Sequence, residues 1–274
     1  MSPSTHTISW SGRTDAGRFR RHNEDAFLAL QLGQPQAQLL GKEGQAPHTG
    51  RDYLFAVSDG LGGGAGGEYA SREAVAGTVD FFARGLSAAL AAVAEGRVQM
   101  LNRLIDVLHQ RLTYLGRDYE ETRHMGATFT LAWLRGERLA FVHLGDSRLY
   151  HLPATGGITQ LSDDHSHVGW LRRTGKIGEY EARMHPQRHQ LDRCLGARQR
   201  KVVPQLGSLT LSPGDGLLLC SDGINDGLSD NGIDRLIREP PPPLTALPIA
   251  ERLINESRLA SGRDNLTALA ILLE

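Results

Sequence analysis

The sequence has few cysteines and no excess of charge of either sign. Two cysteines, Cys194 and Cys220, occur among 274 residues, and both adjoin apolar residues. We therefore expect buried structural thiols in a reducing compartment and no disulfide framework. The formal net charge is −1, which offers no electrostatic basis for binding nucleic acid or a membrane surface. Neither class of partner is predicted.

Long hydrophobic runs are also missing. No apolar run approaches the roughly 20 residues that a transmembrane helix requires. The N-terminal stretch MSPSTHTISWSGR has no basic segment followed by an apolar one, which is the pattern of a secretory signal. These features predict a cytoplasmic protein. The hydrophobic fraction of 40% is typical of a globular chain that buries a full core.

Helix-forming patterns occur in two places along the chain. Helix formers fill residues 67–83, and apolar residues three and four apart predict an amphipathic helix over residues 98–115. Later in the sequence, residues 230–238 predict a short helix and residues 246–260 a longer one. We therefore expect helices to pack in pairs against sheets.

Short strand-like runs account for most other apolar residues. Residues 26–30 and 53–58 are apolar, and a loop-like stretch rich in Gln, Gly and Pro separates them. The runs between residues 126 and 162 alternate with turn residues and predict an antiparallel meander. Residues 208–221 predict a hairpin, and residues 266–273 a final apolar strand. Together these patterns favour an α+β fold in one domain.

Two glycine-containing motifs are similar to nucleotide-binding loops but lack their context. The stretch VSDGLGGGAGGEYAS at residues 57–71 contains G-x-G-x-x-G. A dinucleotide-binding unit continues to a second parallel strand, whereas here two helices and antiparallel strands follow. Gly175 and Lys176 are followed by Ile177, where a Walker A loop needs Ser or Thr. Both interpretations are rejected.

Two further matches concern thiol and zinc chemistry. Cys194 and Arg200 have the C-x5-R spacing of cysteine-based phosphatases, but the stretch CLGARQR has one glycine and no clear helix after it. A reactive thiolate needs a nest of backbone amides at a helix N-terminus. His165 and His167 lack a third ligand at zinc-binding spacing, and we expect both to face solvent.

Acidic residues recur at the ends of the apolar runs. The set is Glu24, Asp25, Asp59, Asp146, Asp222 and Asp264. Asp is common in turns, so each residue alone fits a purely structural role. Taken together, carboxylates that converge at one edge of two packed sheets would repel each other and need cations. All-oxygen ligands favour hard cations such as Mg²⁺ or Mn²⁺.

Eight motifs occur in a fixed order along the chain. They are RFRRHNED, VSDGLGGGAGGEYAS, MGATFTLAWL, VHLGDSRLYHL, LSDDHS, HPQRHQLDRCLG, LLLCSDGINDGL and DNLTALAIL. This ordered set resembles that of the metal-dependent protein phosphatase 2C family in its bacterial form. The match covers residues 8–273, which we interpret as one catalytic domain with a flap at about residues 166–190. The resemblance implies a four-layer α-β-β-α sandwich of two antiparallel sheets flanked by helix pairs.

The resemblance also implies a two-metal centre that hydrolyses phosphoserine and phosphothreonine. Asp59 would bridge two Mn²⁺ or Mg²⁺ ions, Asp222 and Asp264 would complete the site of one, and the Gly60 carbonyl would bind the other. Glycine at that position allows the close approach of a backbone carbonyl. The ions would activate a water for in-line attack on phosphorus.

Three more acidic residues complete the implied ligand set. Glu24 would reach the second ion directly or through water, and Asp25 would support this shell. Asp146, together with Asp222, is the implied site of a third ion.

The substrate phosphate is assigned to an arginine. Arg20 matches the family arginine that binds phosphate through bidentate hydrogen bonds, and Arg21 is a neighbouring competitor for that role. Leu61 stands where many eukaryotic members have a histidine proposed to protonate the leaving group. The general acid is therefore unassigned, with metal-bound water as the expected donor.

The expected partners follow from this activity. They are phosphorylated proteins as substrates and a cognate bacterial Ser/Thr kinase as the opposing enzyme; an anti-sigma-factor antagonist is one possible substrate. The alternative function is a catalytically silent regulator of the same fold that binds phosphoproteins. Because no implied ligand is missing, the sequence favours the enzyme.

Overall fold

The computed structural model describes residues 7–33, 37–48, 50–62, 65–91, 96–118, 124–197 and 199–274. Its strands are β1 (Thr7–Asp15), β2 (Asp25–Leu32), β3 (Gln38–Leu39), β4 (Glu43–Pro47), β5 (Asp52–Leu61), β6 (Gly126–Ala127), β7 (Phe129–Arg135), β8 (Arg138–Leu144), β9 (Arg148–Leu152), β10 (Thr159–Gln160), β11 (Leu195–Gly196), β12 (Gln205–Thr210), β13 (Gly216–Cys220) and β14 (Leu266–Leu273). Its helices are α1 (Ala65–Ala91), α2 (Arg97–Asp118), α3 (His167–Arg173), α4 (Glu179–Met184), α5 (Asp222–Gly227), α6 (Asp230–Arg238) and α7 (Ile249–Ala260). None of the helices within these ranges has the length and apolar composition needed to cross a bilayer.

The strands form two antiparallel sheets. The first sheet has the order β10-β9-β13-β14-β1-β4. In the second sheet, β11-β6-β5-β7-β8-β12 form the main path, and β2 pairs with β5 and with β3. The pairs β2–β5, β5–β7 and β7–β8 in one sheet, and β9–β13, β13–β14 and β1–β14 in the other, are all antiparallel.

Three hydrophobic layers hold the sheets and helices together. One layer lies between the two sheets and includes Phe55 and Leu269. A second joins α1 and α2 to the second sheet through residues such as Leu104 and Leu131. A third joins α6 and α7 to the first sheet around Leu253. Each fully buried aliphatic or aromatic side chain contributes about 1.5–3 kcal/mol. The predicted four-layer sandwich is confirmed.

The two longest apolar strands lie where both sheet faces are covered. Strand β5 pairs with β2 and β7, and β14 pairs with β13 and β1. Residues 53–57 of β5 are fully buried. A strand covered on both faces is apolar throughout and does not alternate, which is why these segments were recognisable from sequence.

The predicted helix pairs are also confirmed, with shifted boundaries. Helix α2 buries Leu101, Leu104, Ile105 and Leu108 completely, as the three-and-four spacing requires. Helix α7 begins at Ile249 because Pro248 precedes it, and residues 244–246 form a separate 3-10 turn.

Two predicted strand pairings are wrong. The meander breaks after β8, because β9 pairs with β13 and β10 in the other sheet. The hairpin at residues 208–221 does not form, because β12 pairs with β8 while β13 pairs with β9 and β14. A turn signal between two strands does not distinguish a hairpin from a crossover between packed sheets.

The sequence analysis missed several elements, among them β1, β4 and the short helices α3, α4 and α5. Strand β1 is rich in small polar residues, and the loop-like stretch after residue 33 contains β4, which pairs with β1. Gly44 on β4 lies under the Trp10 ring, where a Cβ would overlap the indole. The flap at residues 166–190 contains the short helices α3 and α4, and Ser166 caps α3 by accepting the Gly169 N–H at 3.0 Å.

Candidate functional site

Antiparallel pairing brings the predicted acidic residues to one edge of the sandwich. Asp25 starts β2 and lies opposite Asp59, near the end of β5. Asp146 lies in the turn from β8 to β9, where the chain crosses between the sheets. Asp222 follows β13, and Asp264 precedes β14. In the first sheet, the end of β13 lies beside the starts of β9 and β14. Because the β8–β9 turn links this end of the first sheet to the second sheet, all five aspartates lie at the same edge, which we call the acidic edge.

The pKa values of these residues show that they interact. Burial raises the pKa of Asp59 well above its usual range, and Asp25, Asp222, Asp146 and Asp264 raise it further. Burial, followed by the charge of Asp222, raises the pKa of Asp146 in the same direction. Burial also raises the pKa of Asp25 to about 7. The edge therefore gathers carboxyl groups whose simultaneous ionisation is unfavourable unless a cation offsets their charge.

Two carboxylate oxygens at this edge are buried without a hydrogen-bond donor in the described part of the chain. They are Oδ1 of Asp25 and Oδ1 of Asp222. The other oxygen of Asp25 accepts a hydrogen bond from Ser221 Oγ at 2.7 Å. A buried acceptor left unpaired costs about 1–3 kcal/mol. A cation would offset that cost, so the donor set fits hard divalent ions.

The side chains do not form an assembled ion site. Among the described residues, no three Asp, Glu, His or Cys side chains converge closely enough to hold an ion. The fit to a metal therefore rests on the oxygen-only donor set and the two orphaned carboxylate oxygens. The role of each individual ligand stays a prediction.

Hydrogen bonds fix the backbone around Asp59. Its N–H donates to Thr128 Oγ1 at 2.9 Å, and its carbonyl accepts the Thr128 N–H at 2.8 Å. Thr128 Oγ1 also shares a hydrogen bond with Ser147 Oγ at 2.7 Å. Ser147 directly follows Asp146, so one network joins the end of β5 to the crossover turn. The sequence analysis did not identify Thr128 or Ser147.

The glycines after Asp59 allow the backbone to pack closely. The Gly60 N–H donates to the Glu24 carbonyl at 3.1 Å. A Cβ at Gly60 would overlap the Gly67 carbonyl, and a Cβ at Gly67 would overlap Oε2 of Glu24. Gly62 has a φ of 123°, and Gly64 lies outside the described residues. Glycine at these positions therefore allows a close approach of backbone segments, whereas the approach of the Gly60 carbonyl to a metal stays a prediction.

Arg20 reaches the acidic edge. Its Nη2 donates to Oδ2 of Asp264 at 2.8 Å, and this hydrogen bond is the main cause of its raised pKa. The Arg20 side chain is 54% exposed, so the guanidinium also faces solvent. Glu24 and Asp222 also interact electrostatically with Arg20. Arg21 is exposed and makes no ion pair with the described residues.

Asn265 fixes the loop that carries Arg20. Its Nδ2 donates to the Ala16 carbonyl at 3.0 Å and to the His22 carbonyl at 2.9 Å. Its Oδ1 accepts the Glu24 N–H at 2.8 Å. The sequence analysis missed this residue, although a polar residue next to the final apolar strand was a visible signal.

Two further residues at the edge were missed. His189 Nδ1–H donates a hydrogen bond to Oδ2 of Asp222 at 3.1 Å, and this hydrogen bond raises the His189 pKa. Asp226 lies one helical turn after Asp222 and contacts Arg188 at 3.4 Å. The HPQRH and NDG stretches that carry these residues were noted only as parts of motifs.

One expectation about the flap histidines is wrong. His165 does not face solvent: it is buried, and its Nδ1 accepts the Gly145 N–H at 3.2 Å. Burial, together with the nearby His143, lowers the pKa of His165 to about 3. A neutral imidazole here accepts a hydrogen bond that orients the turn preceding Asp146.

Both cysteines are free and buried, as predicted. Burial raises the pKa of Cys194 to about 11 and that of Cys220 to about 12. We expect neither thiol to react with Ellman's reagent in the native protein at pH 8, since the thiolate is the nucleophile. Both should react after unfolding in guanidinium. A thiol that reacts rapidly in the native protein would contradict the burial of the cysteines. Loss of activity in Cys194→Ser would support a mechanism with a cysteine nucleophile.

Comparisons with known proteins identify the family. The family model described as Protein phosphatase 2C matches residues 44–255. The serine/threonine protein phosphatase PstP of Mycobacterium tuberculosis is 32% identical over 98% of this chain, and the chain spans 46% of that protein's length. The serine/threonine phosphatase stp of Listeria monocytogenes is 29% identical, over 94% of this chain and 93% of its own length.

A solved structure agrees with the observed architecture. The catalytic domain of the serine/threonine protein phosphatase PstP, in complex with two manganese ions, has a TM-score of 0.72 and 27% identity, covering 98% of this chain and 99% of that one. This chain belongs to the protein phosphatase 2C family.

Proposed function

We propose that this protein hydrolyses phosphoserine and phosphothreonine in other proteins, with divalent cations as cofactors. One observation carries the proposal: five buried or half-buried aspartates meet at one edge of the sandwich, with Arg20 beside them. The related bacterial proteins are named serine/threonine phosphatases. No observation favours the catalytically silent alternative.

The residues of the edge divide into those that hold cations and those that hold substrate. Asp59, Asp222, Asp264 and the Gly60 carbonyl are proposed to hold two core ions, Mn²⁺ or Mg²⁺. Bound cations of this kind lower the pKa of water and offset the negative charge of a phosphate.

Glu24, Asp25 and Asp146 extend this proposed ligand set. Glu24 and Asp25 are proposed to complete the surroundings of the second core ion, and Asp146 with Asp222 to hold a third. The Ser221 hydroxyl orients Asp25 by donating a hydrogen bond to one of its oxygens. The remaining oxygen of Asp25 is then directed away from that donor.

Arg20 is proposed to bind and orient the phosphate. Its guanidinium has donors besides the one that contacts Asp264, and its exposure leaves them accessible. Paired donors in a fixed plane match two phosphate oxygens and stabilise the charge that builds up during transfer. Leu61 at the end of β5 has no ionisable group, so the proton for the leaving oxygen must come from water or another residue.

The proposal extends to the cellular setting. The substrates are phosphorylated proteins, and the opposing enzyme is a Ser/Thr kinase of the same cell. Two buried free thiols fit a reducing cytoplasm. Nucleic acid and membranes are not proposed as partners.

The test is metal-dependent turnover. We expect hydrolysis of p-nitrophenyl phosphate and of phosphoserine peptides in Mn²⁺, loss of activity in excess EDTA, and recovery when Mn²⁺ is restored. Phosphate release is measured in each condition, with circular dichroism to confirm that EDTA leaves the fold intact. Equal activity with and without EDTA would contradict the metal mechanism. Tight binding of phosphopeptides without release would favour the silent alternative.

A further inference from the structure

A cleft of about 460 Å³ lies beside the acidic edge. Four parts of the chain line it, and three of them are the loop that carries Phe19, the end of α4 with Met184, and the segment after α7 that includes Arg263. Asp226, on α5, also lines it. We refer to it as the Phe19–Met184 cleft. Its volume lies within the range of about 300–1,000 Å³ that is typical of ligand sites.

The cleft is next to the phosphate-binding residue. Phe19 directly precedes Arg20, whose guanidinium contacts Asp264. On the other side, Asp226 lies on the same short helix as Asp222. A protein chain whose phosphate is at Arg20 would therefore pass through or beside this cleft.

Two large apolar side chains face solvent in the cleft. Phe19 is 68% exposed and Met184 is 59% exposed. Neither belongs to the three hydrophobic layers of the fold. Isolated exposed apolar residues are common, but two that line one cleft provide a surface for an apolar partner group. Methionine also adapts its shape to different partners.

The charge of the cleft is positive. Arg183, Arg188 and Arg263 line it, against one carboxylate, that of Asp226. Arg188 contacts Asp226 at 3.4 Å, which leaves the other two guanidinium groups in excess. Arg183 Nε is buried without a hydrogen-bond partner in the described part of the chain. Arg263 is exposed and makes no ion pair with the described residues.

The walls are held in place without a ligand. The Arg18 N–H donates to the Gly262 carbonyl at 2.7 Å, which joins the Phe19 loop to the segment carrying Arg263. Arg183 Nη2 donates to the Asp226 carbonyl at 3.1 Å, which joins α4 to α5. A cleft formed in advance binds with a smaller entropy cost.

From these observations we propose that the Phe19–Met184 cleft binds the substrate chain next to the phosphorylated residue and selects a large apolar side chain flanked by acidic residues. The apolar side chain packs between Phe19 and Met184. The acidic side chains pair with Arg263 and Arg183. This inference rests on the proposed phosphatase function and specifies its substrate class.

The test uses three phosphoserine peptides of equal length. In the first peptide, a Phe and a Glu stand on each side of the phosphoserine. The second peptide has Ala in place of each Phe, and the third has Lys in place of each Glu. We expect kcat/KM of the wild-type protein to be about fivefold higher for the first peptide than for the second, and about tenfold higher than for the third.

The variants assign this preference to the cleft. Phe19→Ala and Met184→Ala should each lower the Phe-over-Ala ratio to below about twofold, because each removes one side of the apolar contact. Arg263→Glu should abolish or reverse the Glu-over-Lys ratio. Two matched controls should keep both ratios: Tyr180→Ala, a 75% exposed aromatic on α4 outside the cleft, and Arg235→Glu, an exposed arginine on α6.

The outcomes separate this inference from the proposed function. If the wild-type protein hydrolyses no phosphopeptide in Mn²⁺, the phosphatase proposal fails. If it hydrolyses all three peptides at equal kcat/KM, only the cleft proposal is overturned. A preference that survives the combined Phe19→Ala and Met184→Ala substitutions also overturns it, since the peptide would then bind elsewhere.

Discussion

Asp59→Asn is expected to lower kcat by about 10³-fold or more, which corresponds to about 4 kcal/mol of transition-state stabilisation. The reason is the position of Asp59 among the other acidic residues. Asp25, Asp146, Asp222 and Asp264 all interact with it electrostatically, which makes it the central carboxylate of the edge. An amide keeps the shape of the side chain but removes the negative charge that the proposed cations would need from it.

When no metal is bound, the same substitution should increase the stability of the fold, although it lowers kcat. Burial and the neighbouring carboxylates raise the pKa of Asp59, so the native state binds a proton more tightly than the unfolded state does. For such a group, stability falls as the pH rises from the unfolded pKa through the folded pKa. At neutral pH in EDTA, Asp59→Asn should therefore unfold at a higher temperature than the wild-type protein.

Both effects are measured on the same preparations. Steady-state hydrolysis of p-nitrophenyl phosphate in saturating Mn²⁺ gives kcat, and thermal unfolding in EDTA gives the stability. Asp163→Asn is the matched control, because Asp163 is a half-exposed carboxylate of the β10–α3 connection with a side-chain exposure of 51%. It should change neither value. If Asp59→Asn keeps full activity, Asp59 is not a ligand and the proposed centre is wrong.

Arg20→Ala is expected to lower kcat/KM for a phosphopeptide by about 10²-fold. Arg20 approaches the acidic edge through Asp264 while half of its side chain remains exposed, so its guanidinium could contact a phosphate at that edge. Charge-assisted bidentate hydrogen bonds depend on geometry, so Arg20→Lys should recover only part of the loss. Stability should change little, because an exposed ion pair contributes about 0–1 kcal/mol.

Arg21→Ala is the control for this prediction. Arg21 carries the same charge one residue away and makes no ion pair with the described residues. Its loss should leave kcat/KM within about twofold of the wild-type value, since long-range attraction by a solvent-exposed charge is screened. If Arg21→Ala is the more damaging substitution, the phosphate assignment moves to Arg21.

The core of the fold was largely predictable from the sequence. Residues 53–57 of β5 and most residues of β14 are apolar, in keeping with the burial of both faces of each strand, and α2 shows a clear three-and-four spacing. Strand β1 was not predicted, because it carries Ser, Thr and Gly and derives its stability from pairing with β14 and β4. Its β character depends on the neighbours and is weak in the local sequence.

The acidic residues of the site were recognised before the fold, but their supporting residues were not. Asp59 and Asp222 share the same strand-then-Ser-Asp-Gly pattern, which is visible in a linear sequence. Thr128 and Asn265 act through hydrogen bonds to residues 69 and 241 positions away. No local pattern encodes a contact between residues that far apart.

The sequence by itself determined the chemistry available to this protein: which residues are acidic and in what order they follow the strands. The tertiary structure decided which residues meet. The crossover from β8 to β9 joins the two sheets at one edge, so the burial that raises the pKa of Asp59, and the further effect of Asp222 and Asp264, exist only after both sheets pack. The Phe19–Met184 cleft likewise exists only in the folded chain, because its walls come from four separate segments. Charge and hydrophobicity belong to single residues, whereas electrostatic coupling and shape depend on distances that folding creates.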